Sequence, residues 1–454
     1  MKKVLLISSL FPPVGGIGVQ RNLKYVKYLP QFGWQSFVLT IKPDYFFLQD
    51  NKLLKDIPEN TKIFRTSCLK PKQKDFSWIK FDIEAKLNRK NKRTSILKSI
   101  IKFIEKELTI PDIWIGWFPF ALLAGNKIIK QNKIDVIFCS GPAFTSFLIG
   151  YILSKKSKLS LVLDYRDGWI LNSDKQTYSC NFFRKIIIST IEKIILKHAS
   201  QIIFVSESLF ENYRQKFKFI KEKSNVITNG FDSDDFHYKD SSIIPSEKGG
   251  VVISHTGNCS ATGRKPLITL FFDIVKNIAD HQNNLRDKLK IMFIGIIPQD
   301  MKKQIKNHYH LENIIETKDF VSHDQAIKLM QDSNILLLLV DISPNNKDIF
   351  SGKLFEYFGA KKPIICFGPK DGAAGKVIRE TKTGIVIDYE TETKKEMLKK
   401  TSSFINQVLN NQFKIDSDKS LKKYERKELT RQLSVVLDKT IKMLKNIPPL
   451  IRGD

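Results

Sequence analysis

The amino-acid sequence predicts an α/β protein made of two consecutive Rossmann-like domains. Short apolar runs alternate with helical patterns in the first half of the chain, and a second such series begins near residue 250. The chain's 454 residues also exceed the ~250 to 300 at which a single core usually stops growing. We therefore predict an N-terminal domain over 1–230, a second over 231–425, and a C-terminal helix over 426–454.

The first strand and helix enclose a glycine-rich loop, VGGIGVQR. Residues 4–9 form an apolar run typical of a buried parallel strand, and residues 19–31 show helical periodicity. The glycines stand at Gly15, Gly16 and Gly18, which is not the G-x-G-x-x-G spacing of a dinucleotide site. Bare amides at such a helix start can approach an anion closely, while a plain tight turn is the structural alternative.

The remaining strands of the first half are read from similar runs: SFVLTI, DVIFCS, SLVLDY and QIIFVS. A basic insertion over 70–110 interrupts them and carries an amphipathic pattern, which fits either a surface helix or a helix lying on anionic lipid. The segment 182–199 is more apolar, and we expect it in the core. No run of about 18 apolar residues occurs, so the sequence predicts no membrane span.

The charge of the chain favours anionic partners. There are 75 Lys and Arg against 47 Asp and Glu, a net charge of +28, which suits nucleic acid, anionic lipid or phosphorylated substrates. No pattern of a dedicated nucleic-acid binder appears, so we predict no nucleic-acid partner. The scattered histidines show no metal-ligand spacing, so no metal site is predicted.

Two segments of the first half carry candidate polar residues at strand ends. DYRDGW (164–169) ends one predicted strand and SGPAF (140–144) ends the preceding one. Ligands bind at the carboxyl ends of strands in open α/β sheets. The carboxylate and guanidinium of DYRDGW could polarise a hydroxyl and hold an anion, or they could form a salt bridge that stabilises the loop.

In the second half, the segment DIFSGKLFEYFGAKKPIICFG (348–368) gives the strongest signal. Ser351 is a good N-cap and Gly352 opens a helix, whose amides and positive dipole end favour an anion. Glu356 lies one turn on, where it could accept hydrogen bonds from vicinal hydroxyls, and Asp348 precedes the helix. Ordinary N-terminal capping by acids is the alternative.

Arg264 and Lys265 form a further candidate pair. They stand at the start of the helix that follows the loop HTGNCSATG. Cations at a helix N-terminus are unfavourable for the helix dipole, so a bound anion would explain them. Solvated surface charges are the alternative explanation.

Together these segments resemble the family 4 glycosyltransferases, retaining enzymes of the GT-B fold that use nucleotide-activated sugars. The resemblance rests on the GGIG loop, DYRDGW, FVSES, ITNGFD, the Arg264–Lys265 pair and SGKLFEYFGAKKP, in that order. It implies two domains facing across a cleft and a C-terminal helix that crosses back to the first domain. Variants of DYRD and KLFEY are typical of bacterial capsule, O-antigen or exopolysaccharide synthesis.

The resemblance also implies roles for individual residues. The catalytic group comprises Asp167, Arg264 and Lys265, with the two cations on the donor phosphates. The family's two glutamates fall on Asp348, one methylene shorter, and on Glu356, which would bind the ribose hydroxyls. The whole donor-binding set is Gly16, Gly257, Asp348, Gly352, Lys353 and Glu356. The acceptor-side set is Gly15, Gly18, Arg21, Ser140 and Arg166.

The implied reaction moves a sugar from a nucleotide diphosphate sugar to a glycan or lipid-linked acceptor, with retention and without a metal or other cofactor. The expected location is the cytoplasm, peripheral at the inner face of the plasma membrane on an anionic surface. Two alternatives from other classes stay open: a GT-B sugar-nucleotide epimerase, and a non-catalytic membrane-associated partner of a polysaccharide assembly complex.

Overall fold

The computed structural model describes residues 1–69, 109–171, 182–236, 249–319, 321–343, 346–348, 350, 352–415 and 418–445. The chain divides into two compact units. Unit 1 comprises Met1–Thr228 and Leu429–Asp454, and unit 2 comprises Asn229–Glu428. Nearly all of the basic insertion predicted at 70–110 lies outside the described residues.

Within the described residues, unit 1 contains a parallel sheet with the strand order β3-β2-β1-β4-β5-β6-β7. Its strands are β1 Lys2–Ile7, β2 Trp34–Ile41, β3 Lys62–Thr66, β4 Val136–Gly141, β5 Ser160–Tyr165, β6 Gln201–Phe204 and β7 Ser224–Val226. Its helices are α1 Ile17–Tyr28, α2 Phe118–Asn132, α3 Thr145–Ser157, α4 Phe182–His198 and α5 Glu207–Lys216.

The described part of unit 2 contains a second parallel sheet, with the order β10-β9-β8-β11-β12-β13. Its strands are β8 Val251–Asn258, β9 Leu289–Ile296, β10 Ile315–Lys318, β11 Ile335–Leu339, β12 Ile364–Phe367 and β13 Gly384–Ile387. Its helices are α6 Lys265–His281, α7 Asn283–Arg286, α8 Gln299–Asn307, α9 His323–Asp332, α10 Gly352–Ala360, α11 Ala373–Thr381, α12 Lys394–Leu409 and α13 Asp418–Leu421. The last helix, α14 Arg426–Lys445, belongs to unit 1 from Leu429 onward.

Both faces of the unit 1 sheet are covered, which explains its continuous apolar strands. All residues of β4 and β5 are buried, as expected for parallel strands with helices on both sides. On one face of the sheet, Val4 and Leu6 of β1 form a hydrophobic cluster with helix α14. The residues that α14 contributes are Leu429, Leu433 and Leu437. The indole Nε1 of Trp34 also donates to Asp438 Oδ1 of that helix at 3.1 Å.

The strand order of each sheet reverses next to its first strand, between β1 and β4 in unit 1 and between β8 and β11 in unit 2. Such reversals open a crevice outside the carboxyl ends of the two strands, which is where open α/β sheets bind ligands. The predicted pair of Rossmann-like units is therefore confirmed, and each has its own candidate crevice.

Helix α4 is only partly buried, whereas the sequence predicted that segment 182–199 would lie in the core. Ile188, Ile195 and Leu196 are buried, but Phe182 and Phe183 are 73% and 76% exposed. The periodicity identified the helix correctly, yet apolar residues on its outer face are not covered by described residues. Among those residues, every helix is too short or too polar to cross a bilayer.

Candidate functional site

The unit 1 crevice contains a buried ion pair between Arg21 of α1 and Asp164 at the end of β5. Arg21 Nη2 donates to Asp164 Oδ1 at 2.7 Å and Nε donates to Oδ2 at 3.0 Å. Asp164 Oδ2 also accepts from the Ser140 hydroxyl at 2.8 Å. Arg21 further donates to the backbone carbonyls of Ile227 and Thr228 at 2.9 and 2.6 Å. The network therefore joins α1 to the ends of β4 and β5 and to the segment after β7.

This arrangement brings two predicted acceptor-side residues together but gives them structural partners. Both members of the ion pair are essentially inaccessible, with side-chain exposures of 1% and 0%. Excellent geometry and several additional hydrogen bonds are what a buried pair needs to offset its desolvation. Arg21 and Ser140 thus belong to the buried network that supports the crevice.

Arg166, the residue two positions after Asp164, has different surroundings. Its Nη1 atom is buried and has no hydrogen-bond partner within the described part of the chain. Burial lowers the pKa of this guanidinium, and the nearby carboxylates of Asp167 and Asp164 oppose this shift. Asp167, the predicted acceptor-side catalytic group, follows it with an exposed side chain.

Aromatic packing holds the DYRDGW loop in place. Trp169 stacks on Phe144 with ring centroids 4.8 Å apart and planes 2° from parallel. The Trp169 amide donates to the Tyr213 hydroxyl at 2.8 Å, and that hydroxyl donates to Glu192 Oε1 at 2.6 Å. Burial raises the pKa of Glu192 to about 7. The loop that carries Arg166 therefore leaves β5 along a fixed path.

The glycine-rich loop lies beside this group. Gly16 is the N-cap of α1 with φ of 94°, in the region that favours glycine, and no side chain among the described residues caps the helix. A Cβ at Gly18 would stand 3.2 Å from Arg166 Nη2. A Cβ at Gly15 would come within 3.1 Å of the Leu48 side chain. The glycines thus permit close packing around the start of α1.

In unit 2, Arg264 spans the reversal between β8 and β11. Its Nε and Nη2 atoms donate to the two carboxylate oxygens of Asp341 at 2.7 and 3.0 Å. Its Nη1 donates to the backbone carbonyl of Asn258. Since Asp341 follows β11 and Asn258 ends β8, the guanidinium is fixed at the crevice. Sequence reasoning missed Asp341, although an acid directly after the apolar run ILLLLV was an available signal.

Lys353, on the first turn of α10, lies in the same crevice. Its side chain lies so close to Gly257 that a Cβ there would stand 2.2 Å from the Lys353 Nζ. Gly257 also has φ of 125°, so both its backbone and its missing side chain are required. Burial, and secondarily the charge of Arg264, lower the pKa of Lys353 to about 8.

Lys265, the other half of the predicted cationic pair, is not in this cluster. Its Nζ pairs with Asp300 Oδ2 at 3.0 Å, and the two side chains are 52% and 57% exposed. Adjacent helical residues do not share a face, so only one of the two can point along the crevice. The structure places Lys353 rather than Lys265 beside Arg264.

Glu356 lies one turn after Lys353, and its side chain is 19% exposed. Its Oε1 is 3.8 Å from His323 Nδ1, and His323 Nε2 is 3.7 Å from Asp235 Oδ2. Burial raises the pKa of Glu356, while His323 and Lys353 oppose this shift. Sequence reasoning did not find His323 or Asp235, because no local pattern links them to α10.

The remaining predicted donor-side residues are only partly described. Gly352 begins α10. Asp348 ends the short 3₁₀ turn Asn346–Asp348, and the placement of its side chain is outside the described structure, as is Ser351. The role predicted for Asp348 stays a prediction.

Comparison with known proteins indicates which family and fold these two units resemble. Residues 101–235 match the model of Glycosyltransferase Family 4. The chain has the GT-B fold. This fold is similar to that of Anabaena Alr3699/HepE, solved in complex with UDP and glucose, with a TM-score of 0.60 and 14% identity over 97% of this chain and 100% of that chain.

Two further solved structures share the fold of this chain. TarM from S. aureus, in complex with fondaparinux, α-GlcNAc-glycerol and UDP, has a TM-score of 0.59 and 12% identity over 96% of this chain and 100% of that one. A putative UDP-N-acetylglucosamine 2-epimerase from Listeria monocytogenes has a TM-score of 0.57 and 12% identity over 98% of both chains. No curated protein sequence matches the chain.

Proposed function

We propose that the protein transfers a sugar, with retention and without a metal ion, from a nucleotide diphosphate sugar bound by unit 2 to a glycan or lipid-linked acceptor bound by unit 1. The observation that carries this proposal is the pair of cations, Arg264 and Lys353, gathered at the strand-order reversal of unit 2. A diphosphate is the ligand class that this concentration of positive charge suits.

The electrostatics of Lys353 support a diphosphate ligand. Desolvation and a neighbouring guanidinium both penalise its ammonium form, which is why its pKa falls to about 8. Cys259, Asp341 and Glu356 oppose this shift, and a bound anion would add to their effect and return the pKa toward its ordinary value. The N-terminus of α10 adds amides and a positive dipole end to the same place.

The same groups would serve the chemical step. As the bond between the sugar carbon and the diphosphate oxygen breaks, negative charge grows on the leaving diphosphate, and fixed cations stabilise it. The acceptor hydroxyl forms the new bond to the sugar carbon on the same face, and its proton passes to an oxygen of the departing diphosphate. This route forms no covalent intermediate on the protein.

A uridine nucleotide is the donor class that we propose. HepE and TarM, which share the fold, were both solved with UDP. In the present chain Glu356 is the group that would accept hydrogen bonds from the ribose hydroxyls. Its partial burial favours such an acceptor role, because each hydrogen bond to its carboxylate offsets the cost of desolvation.

The donor assignment is tested by titrating UDP-glucose into the protein in a calorimeter. Hydrogen bonds to a charged group contribute about 1.5 to 3 kcal/mol, so Glu356→Ala should weaken binding about ten- to hundred-fold. The exposed Glu312 provides the matched control, since Glu312→Ala removes the same group without touching the crevice. Equal affinities of wild type and Glu356→Ala, with intact folding, would contradict this role.

The epimerase alternative is supported by the fold shared with the putative UDP-N-acetylglucosamine 2-epimerase. Incubation with UDP-N-acetylglucosamine alone separates the two activities. A transferase without acceptor returns the donor or its slow hydrolysis products. Accumulation of an epimeric sugar in the absence of any acceptor would favour the epimerase instead.

We also propose that the enzyme works at the inner face of the plasma membrane in surface polysaccharide assembly. The net charge of +28 supports attraction to anionic lipid. Sedimentation with vesicles containing phosphatidylserine should pellet the protein at low salt and release it at high salt, because salt screens surface charges. Neutral phosphatidylcholine vesicles serve as the control, and absence from the anionic pellet at low salt would overturn this location.

A further inference from the structure

The sheet of unit 2 opens between strands β8 and β11 before β8 ends. Strand β8 pairs with β11 only at Ile253 and Ser254, whereas it pairs with β9 as far as Asn258. Strand β11 stays paired with β12 up to Leu339. Residues 255–258 of β8 therefore have no partner strand on the side of β11 within the described part of the chain.

Two buried side chains bridge this opening with hydrogen bonds to the backbone. The hydroxyl of Tyr357, a residue of α10, donates to the Leu337 carbonyl of β11 at 3.1 Å and accepts from the Thr256 amide of β8 at 3.4 Å. His255 Nδ1 donates to the same carbonyl at 2.8 Å. These side chains satisfy backbone groups that the separated strands cannot pair with one another directly.

Both side chains keep their protonation states around neutral and mildly basic pH. Burial raises the pKa of Tyr357 to about 12, so its hydroxyl remains able to donate. Burial, and then the charge of Lys353, lower the pKa of His255 well below its ordinary value, so its imidazole stays neutral. Because a carbonyl oxygen only accepts, the neutral imidazole carries its proton on Nδ1.

The bridge lies next to the cation that we place on the donor diphosphate. Lys353 and Tyr357 share one face of α10, because residues four apart in a helix are neighbours. Tyr357 is bonded to Thr256, and the Lys353 side chain lies against the next residue, Gly257, where a Cβ would stand 2.2 Å from its Nζ. Any shift of α10 against β8 therefore moves the ammonium group within the crevice.

We infer that the hydroxyl of Tyr357, together with the imidazole of His255, fixes the width of the opening between β8 and β11 and thereby positions Lys353 for the donor diphosphate. The inference rests on the proposed function in placing the diphosphate beside Lys353. Tyr357 is a positioning residue, since its buried hydroxyl already bonds to two backbone groups of the protein. It acts on the ligand through Lys353.

The pKa of Lys353 reports the position of this side chain. Burial and the charge of Arg264 lower it to about 8, and the acidic groups around the ammonium oppose this shift. The titratable and charged groups that act on Lys353 or lie close to it are Arg264, Cys259, Asp341, Glu356 and the neutral His255. Since Tyr357 itself stays neutral, a changed pKa of Lys353 in a Tyr357 variant means that Lys353 has moved.

The first experiment compares the wild type with Tyr357→Phe, which removes only the hydroxyl group. UDP is titrated in a calorimeter at pH 7 and at pH 9. We expect the affinity at pH 7 to fall about three- to tenfold, the effect of losing a neutral hydrogen bond or two. The loss of affinity between the two pH values should shrink from about tenfold to less than about twofold, because a displaced and resolvated Lys353 regains a pKa near its ordinary 10.5.

Tyr309→Phe is the matched control. It removes a hydroxyl that donates to Asp273 of α6 at 2.9 Å, outside the opening between β8 and β11, and we expect the affinity and pH dependence of the wild type. If Tyr357→Phe behaves like Tyr309→Phe, the inference is overturned. It is also overturned if Tyr357→Phe weakens UDP binding but keeps the pH dependence, because the hydroxyl would then act on folding or on the ligand and not on Lys353.

A pair of His255 variants tests the second donor to the Leu337 carbonyl. The side-chain amide of His255→Asn can take the place of Nδ1, whereas His255→Leu supplies no donor. We expect the pH dependence of UDP affinity to be kept in the asparagine variant and flattened in the leucine variant. Equal profiles in the two variants would remove His255 from the bridge and overturn that part of the inference.

A measurement without nucleotide separates this inference from the proposed function. The pKa of Lys353 is obtained from the pH dependence of its acetylation by acetic anhydride, followed by mass spectrometry of the full chain after digestion. We expect a value of about 8 in the wild type and a clearly higher one in Tyr357→Phe. Equal values overturn the inference and leave the donor site standing, whereas a shifted value with no UDP binding by the wild type supports the inference and removes the proposed function.

Discussion

The crevices of the two units have the same topology but neutralise their cations differently. In unit 1, Arg21 has a carboxylate and two carbonyls as partners, so its positive charge is neutralised within the fold. In unit 2, Arg264 is paired with Asp341, but the neighbouring Lys353 keeps a pKa of only about 8. The same topology can thus hold an arginine–aspartate pair fully inside the fold or at an accessible crevice, and the difference lies in burial: the side chains are 1% and 0% exposed in unit 1 but 15% and 27% exposed in unit 2.

The largest effect is predicted for the buried ion pair between Arg21 and Asp164 in unit 1. Arg21→Met removes one partner of a buried pair and leaves Asp164 charged without compensation. Breaking such a pair costs about 3 to 5 kcal/mol, so the free energy of unfolding in urea should fall by roughly that amount. The double variant Arg21→Met, Asp164→Leu should recover much of the loss, since no isolated charge remains.

A fall of less than about 1 kcal/mol for Arg21→Met, within the ordinary range of surface ion pairs, would contradict the contrast between the units. It would mean that Arg21 is accessible to solvent in solution.

The second prediction concerns ligand binding in unit 2. Lys353→Met removes a cation that we place on the donor diphosphate, and losing one partner of a buried charged contact costs about 2 kcal/mol or more. UDP affinity, measured by calorimetry, should therefore fall about thirty-fold or more. The free energy of unfolding should not fall, because the substitution removes a desolvated charge.

Lys265→Met is the matched control, because Lys265 pairs with Asp300 on the exposed surface. Such pairs contribute about 1 kcal/mol or less, and we expect UDP affinity close to that of the wild type. If Lys265→Met reduced the affinity more than Lys353→Met, the basic pair predicted from the sequence would be the phosphate site after all.

The smallest effect is a pH dependence. UDP should bind the ammonium form of Lys353, whose pKa in the free protein is about 8. The protonated fraction of a group with such a pKa falls about tenfold between pH 7 and pH 9, so UDP affinity should fall by a similar factor. Lys353→Met should show a flat profile over this range, and an equal slope in that variant would assign the dependence to another group.

The lowered pKa of Lys353 also makes the stability of the protein depend on pH, in the opposite direction to the affinity for UDP. Because the pKa of Lys353 is lowered in the folded protein from its ordinary 10.5, the unfolded chain binds more protons between the two values. Without ligand, this group therefore makes the protein more stable as the pH rises from about 8 toward 10.5.

Much of the architecture could be predicted from local sequence. The apolar runs SLVLDY and QIIFVS became β5 and β6, and the glycine-rich loop became the start of α1. Helix α4 was less well predicted, because apolarity indicates a helix but not whether other elements cover its outer face. Phe182 and Phe183 show that difference.

The candidate residues were predictable as residue types at strand and helix ends, but their partners were not. Arg264 and Lys265 are neighbours in the sequence and differ in surroundings, because successive helical side chains point about 100° apart. Lys353 was among the predicted donor-side residues, yet its position against Gly257 depends on how α10 packs beside β8.

The sequence by itself determined the order of strands and helices and the glycines at which bare backbone meets a ligand, because these follow from periodicity and steric freedom over a few residues. Only the tertiary structure decided which carboxylate meets which cation. The partners of Arg21 and Arg264 lie 143 and 77 residues away along the chain. No local pattern encodes such a pairing, since it arises only when parallel strands bring their carboxyl ends together.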